Sequence, residues 1–60
     1  MNKYVITYGF HDQDENHYRI GKTKSINAKD EDEASIKFKD QFESLEGIPV
    51  DIIKVELVTN

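Results

Sequence analysis

The side chains best suited to chemistry lie in one polar stretch, His11-Asp12-Gln13-Asp14-Glu15-Asn16-His17, which contains no apolar residue. Asp12, Asp14 and Asn16 alternate as the first three ligands of a calcium loop do, where side-chain oxygens converge on a hard cation. The pattern then departs from such a loop: His17 stands where the sharp turn needs glycine, and Thr23 where a bidentate glutamate belongs. His11 and His17 bracket the stretch, and with Asp12 or Asp14 they make the beginning of a zinc set that lacks further ligands at a recognised spacing. Aspartate, asparagine and glutamine are also what an ordinary hairpin connection uses, because they bond to their own backbone. The stretch is therefore read as a loop. His11, Asp12, Asp14 and His17 are the candidates for a metal-responsive role, and no cofactor is expected.

Nucleophilic catalysis finds no foothold. Cysteine is absent, and Ser25, Ser35 and Ser44 lie outside any nucleophile-elbow or triad-like context. Gly9, Gly21 and Gly47 are too scattered to form a phosphate-cradling loop. The carboxylates fall on the loop and on a helix surface, without the burial or close charge partner that general acid–base work requires. The expectation is a protein that is not an enzyme.

A second constellation is basic. Arg19, Lys22 and Lys24 follow Tyr18, a spacing that could track a nucleic-acid backbone with the tyrosine as a stacking platform. Lysines on a sheet edge are equally a guard against edge-to-edge aggregation. The net charge of −4 argues against electrostatically driven nucleic-acid binding and against an anionic membrane surface. No apolar run approaches the length that spans a bilayer, and the N-terminus enters directly on a strand pattern. A chain without cysteine and without such segments suits the cytoplasm.

These residues must be positioned by few elements, since 60 residues make one domain (1–60) near the lower limit of independent folding. Residues 3–10 are dense in β-branched and aromatic side chains and read as a first strand, with Tyr4, Ile6, Tyr8 and Phe10 on one side and Val5 and Thr7 on the other. Residues 18–26 read as a second strand. Tyr18, Ile20 and Ile26 share parity, but Lys22 and Lys24 stand between them, so the strand either leaves the core or changes facing through a bulge at Gly21. Residues 30–46 read as an amphipathic helix with Ala34, Phe38, Phe42 and Leu45 on the core face. Asp30 and Glu33 fit a capping box, while Gly47 and Pro49 end the helix. Residues 50–58 alternate as a third strand, with Ile53, Val55 and Leu57 inward and Ile52 and Val58 outward.

The order ββαβ predicts an α+β two-layer sandwich, one helix packed on a three-stranded antiparallel sheet in the order 2-1-3. The junction 26–34 resembles the strand-to-helix junction of many small α+β proteins, phage proteins among them. One sheet face has no helix to cover it, and Val5, Ile52 and Val58 would cluster there. On the helix exterior, Ile36 stands with Asp40 and Glu43 among charged residues that Lys39 dilutes. Both surfaces point to a non-catalytic protein-interaction or regulatory module with a protein partner, and self-association into a homodimer through the open face is compatible with it. The lysine-dominated basic composition and the richness in Ile, Asn, Asp and Glu hint at AT-rich coding, as in phage or mobile-element proteins that act on a host protein.

Overall fold

The computed structural model describes residues 1–13 and 17–59. Its elements follow the order β1 (Asn2–His11), β2 (Tyr18–Lys22), β3 (Ile26–Ala28), α1 (Glu31–Glu46) and β4 (Asp51–Leu57). β1 pairs antiparallel with β2 and β3, and antiparallel with β4. The helix packs on one face, so the chain is the expected α+β two-layer sandwich. Its strand order is 2-1-3 once β2 and β3 are taken as two halves of the second strand.

That split has a local cause. β2 meets β1 from Thr7↔Lys22 to His11↔Tyr18, and β3 meets it from Asn2↔Ala28 to Tyr4↔Ile26. Residues 23–25 therefore stand opposite only Val5 and Ile6, one residue too many for a continuous ladder. Thr23 occupies the break. Its N–H donates to the Ile6 carbonyl at 2.9 Å, and its hydroxyl accepts the Ile6 N–H at 3.0 Å. The extra residue reverses the facing: Ile26 and Ala28 lie on the helix side with Tyr4, whereas Tyr18 and Ile20 lie on the opposite face with His11 and Gly9. The facing thus changes at 23–25 rather than at Gly21.

A second irregularity reverses an expectation in β4. Thr7 pairs with Lys54 but Tyr8 pairs with Ile52, so Ile53 is the extra residue of a bulge. Ile52 consequently points to the helix side, where it packs against the core with Val55. Alternation had placed it on the open face; the bulge explains the correction.

The helix is signed at both ends as its sequence requires. The Asp30 carboxylate accepts the Glu33 N–H at 2.8 Å, and Glu33 returns by accepting the Lys29 N–H at 3.1 Å. This is a capping box whose return arm reaches one residue before the cap. Gly47 adopts φ 71° and donates its N–H to the Glu43 carbonyl at 3.0 Å, the left-handed closure that glycine accommodates without a Cβ clash. The Lys37 ammonium joins the Glu33 carboxylate at 3.3 Å, the expected pair one turn apart.

The buried core is small: Tyr4, Ile6, Ala28 and Ala34, with Val50 buried beside the helix exit. Tyr8, Phe10, Phe38 and Phe42 extend it as a ring cluster with centroids 4.8 to 6.1 Å apart. The helix packs on β1, β3 and β4 and, among the described residues, not on β2. Leu45, expected on the core face, is instead 77% exposed.

Replacing Ile6 with alanine should cost about 2–5 kcal/mol in chemical denaturation. Leu45→Ala should stay within about 0.5 kcal/mol, the range of an exposed side chain. A pH series gives a third check. The Lys29 N–H, helped by the Lys37 ammonium, holds the Glu33 carboxyl below its ordinary value of 4.5, against a partial loss of water that raises it. Its contribution is complete above pH 4.5 and disappears as the pH falls through the lowered value, so Glu33→Gln should flatten the acid limb of stability against pH.

Candidate functional site

The face turned away from the helix is built by the odd-numbered residues of β1 and their partners. Val58 donates its N–H to the Lys3 carbonyl at 2.8 Å, which brings Val58 diagonally beside Val5 on this face. Val5 is followed on the same side by Thr7, and Thr7 lies diagonally from Ile20 of β2. Tyr18 continues the line. Val58, Val5, Thr7, Ile20 and Tyr18 therefore occupy consecutive register positions in a stripe that crosses all three strand rows. Ile20 is 66% exposed, and Val58 and Tyr18 are also open to solvent. The stripe is flanked by Lys22 on β2 and by Lys54 and Glu56 on β4, whose ammonium and carboxylate are 3.7 Å apart.

One end of the stripe is held rigidly. The Tyr18 ring lies across Gly9, in the space a side chain there would occupy, and its hydroxyl donates to the Asp51 carboxylate at 3.1 Å. His11 meets the ring edge-on at a centroid distance of 4.9 Å. Packing against the sheet removes water from the phenol, and the Asp51 carboxylate disfavours a neighbouring phenolate by hydrogen bond and by charge. Both push the Tyr18 pKa above its ordinary value of 10.0.

The sequence candidates are distributed as follows. Val5 and Val58 lie on the open face, whereas Ile52 has moved to the core side. Ile20 stands on the open face in its place; the unexpected break at 23–25 hid it from a reading of parity. Ile36 is 69% exposed and Asp40 stands beside it on the helix exterior. Glu43 is partly buried, and its carboxylate accepts the Val50 N–H at 3.1 Å, so it ties the helix to the chain leading into β4.

The basic set does not share one face. Tyr18 and Lys22 belong to the open face, while Arg19 sits opposite Phe10 on the helix side and pairs with the Asp12 carboxylate at 2.8 Å. Lys24 lies in the break between β2 and β3. Of the metal candidates, Asp14 falls outside the described residues. Asp12 donates its N–H to the His17 carbonyl at 2.7 Å, and its carboxylate is engaged by Arg19. Among the described residues, no group of three or more His, Asp or Glu side chains converges on one point, and no helix is long and apolar enough to cross a membrane.

The packing of Tyr18 on Gly9 has a measurable signature. Gly9→Ala should displace the ring and cost about 1–3 kcal/mol, the range for overpacking. In a Tyr18→Ala background the same substitution should cost almost nothing, a non-additivity that a double-mutant cycle reads directly. Comparison with known protein families, with curated proteins and with solved structures finds no match to this chain.

Proposed function

We propose that this chain is a non-catalytic protein-binding module whose open sheet face docks on an apolar surface of a protein partner in the cytoplasm. The observation that carries the reading is the stripe Val58, Val5, Thr7, Ile20 and Tyr18, because solvent-facing apolar side chains aligned across a sheet favour a contact that covers them. The flanking Lys22, Lys54 and Glu56 supply the polar rim that such contacts use around an apolar centre. Tyr18 and Glu33, whose ionisation is displaced, are both engaged in holding the fold rather than facing a pocket. Small size, absence of cysteine and the composition of AT-rich coding support a phage or mobile-element product acting on a host protein.

The test is affinity capture from a cytoplasmic lysate with three variants beside the parent chain. Val5→Glu and Ile20→Glu should each abolish retention of the partner, while Ile36→Glu on the opposite side of the molecule should preserve it. Retention indifferent to both stripe variants would remove the open face from consideration. A low-salt shift of labelled DNA or RNA, abolished by Lys22→Glu and falling steeply with salt, would move the reading to a nucleic-acid binder instead.

A further inference from the structure

The two outer strands of the sheet are protected very differently. The edge formed by β2 and β3 carries Lys22 and Lys24 and is interrupted at residues 23–25, both of which discourage pairing with another chain. β4 pairs only with β1 among the described residues, runs without interruption from Lys54 to Leu57 beyond the bulge at Ile53, and bears Lys54 as its only basic residue. Ile53 and Leu57 are 50% and 51% exposed along it.

The backbone of this edge has a definite polarity. Val58 donates its N–H toward β1, and the direction alternates along a strand, so Leu57 and Val55 direct their N–H and C=O groups away from β1. An incoming antiparallel strand must match outward-pointing residues to outward-pointing residues. For a second copy of this chain, related by a two-fold axis, three registers fall within the stretch. Centring on Lys54 sets Lys54 against its own copy, and centring on Glu56 sets two carboxylates together. Centring on Val55 sets Lys54 opposite Glu56 twice, on the open face.

We propose that β4 pairs with β4 of a second copy about a two-fold axis through Val55, joining two sheets into one. The register brings Val55 to Val55 on the helix side and sets Leu57 next to the bulged Ile53 of the other copy, covering the apolar side chains that the edge leaves exposed. On the other face the Lys54–Glu56 pair within each chain, 3.7 Å apart, becomes one half of a four-charge square of alternating sign. The two Val55 residues exchange backbone hydrogen bonds as in the usual antiparallel ladder. The helices leave room for this. Three strand spacings of about 4.8 Å separate the two β1 strands, enough to seat two helices of about 10 Å side by side. This interface uses the sheet edge and shares with the open-face contact only the rim residues Lys54 and Glu56.

Sedimentation equilibrium across a concentration series, on the full chain, tests it. The parent protein should approach twice the 7.0 kDa chain mass. Lys54→Glu and Glu56→Lys, both at exposed positions, should each raise the dimer dissociation constant at least tenfold by setting like charges across the axis. The double variant, and an equimolar mixture of the two single variants, should recover the dimer because opposite charges face each other again. The proposal is overturned by a parent chain that stays monomeric up to millimolar concentration. It is equally overturned by a dimer that neither charge reversal weakens, or by single variants that the double substitution and the mixture fail to rescue. Circular dichroism of each variant separates loss of pairing from loss of fold.

Discussion

One helix cannot cover this sheet. A helix is about 10 Å across, and α1 lies over the end of the sheet where β3, β1 and β4 run side by side, away from the end where β2 pairs. Here the helix settles over β1, β3 and β4 and leaves β2 outside. Much of the molecule follows from that choice. Leu45 stays exposed, the ring cluster of Tyr8, Phe10, Phe38 and Phe42 remains only partly buried, and the fully buried core shrinks to a few side chains around Ile6. β2 must be held by something other than a helix.

Two tyrosines laid across two glycines supply part of that hold. Tyr8 of β1 covers Gly21 of β2 on the helix side, its hydroxyl 2.8 Å from where a Cβ would stand, and Tyr18 of β2 covers Gly9 of β1 on the open side. Each glycine provides the flat surface that a ring needs, and the ring restores apolar contact that glycine lacks. The two pairs act on opposite faces of the same strand pair. A slip of one residue would set both rings against side chains, so the pairs fix register as well as adding contact. The Tyr18 hydroxyl then reaches across β1 to Asp51 and links the two outer strand rows on the open face.

The helix, its caps and the central strand were legible because each rests on local chemistry: Asp30 with Glu33 at one end of the helix, Gly47 at its other end, and in the strand a large side chain at every even position from Tyr4 to Phe10. The two-layer architecture and strand order followed from connectivity. The candidate surface was half legible. Val5 and Val58 lie on the face that alternation predicts, but Ile52 and Ile20 exchange sides because each is separated by a one-residue irregularity from the part of its strand that sets the parity. A bulge leaves little mark in sequence when no glycine or proline accompanies it, and neither Thr23-Lys24-Ser25 nor Ile52-Ile53 contains one. The hint at the first break was the parity conflict at Lys22 and Lys24; at the second, two adjacent isoleucines left the choice between them to tertiary packing. Leu45 was misplaced for a different reason, since periodicity reports which way a side chain faces and not whether a strand lies there to meet it.

The open face and the β4 edge are perpendicular to one another, so occupying one leaves the other available. Pairing through β4 would place two copies of the stripe on one continuous surface, related by the two-fold axis at Val55. A partner that is itself two-fold symmetric, or that repeats its contact site, would then meet both stripes at once. The second contact would form at the high effective concentration set by the first. A small domain with a minimal core has little surface with which to bind tightly alone. Joining two sheets by their edges enlarges the binding surface without enlarging the chain, and it protects the one edge that this sequence leaves unguarded.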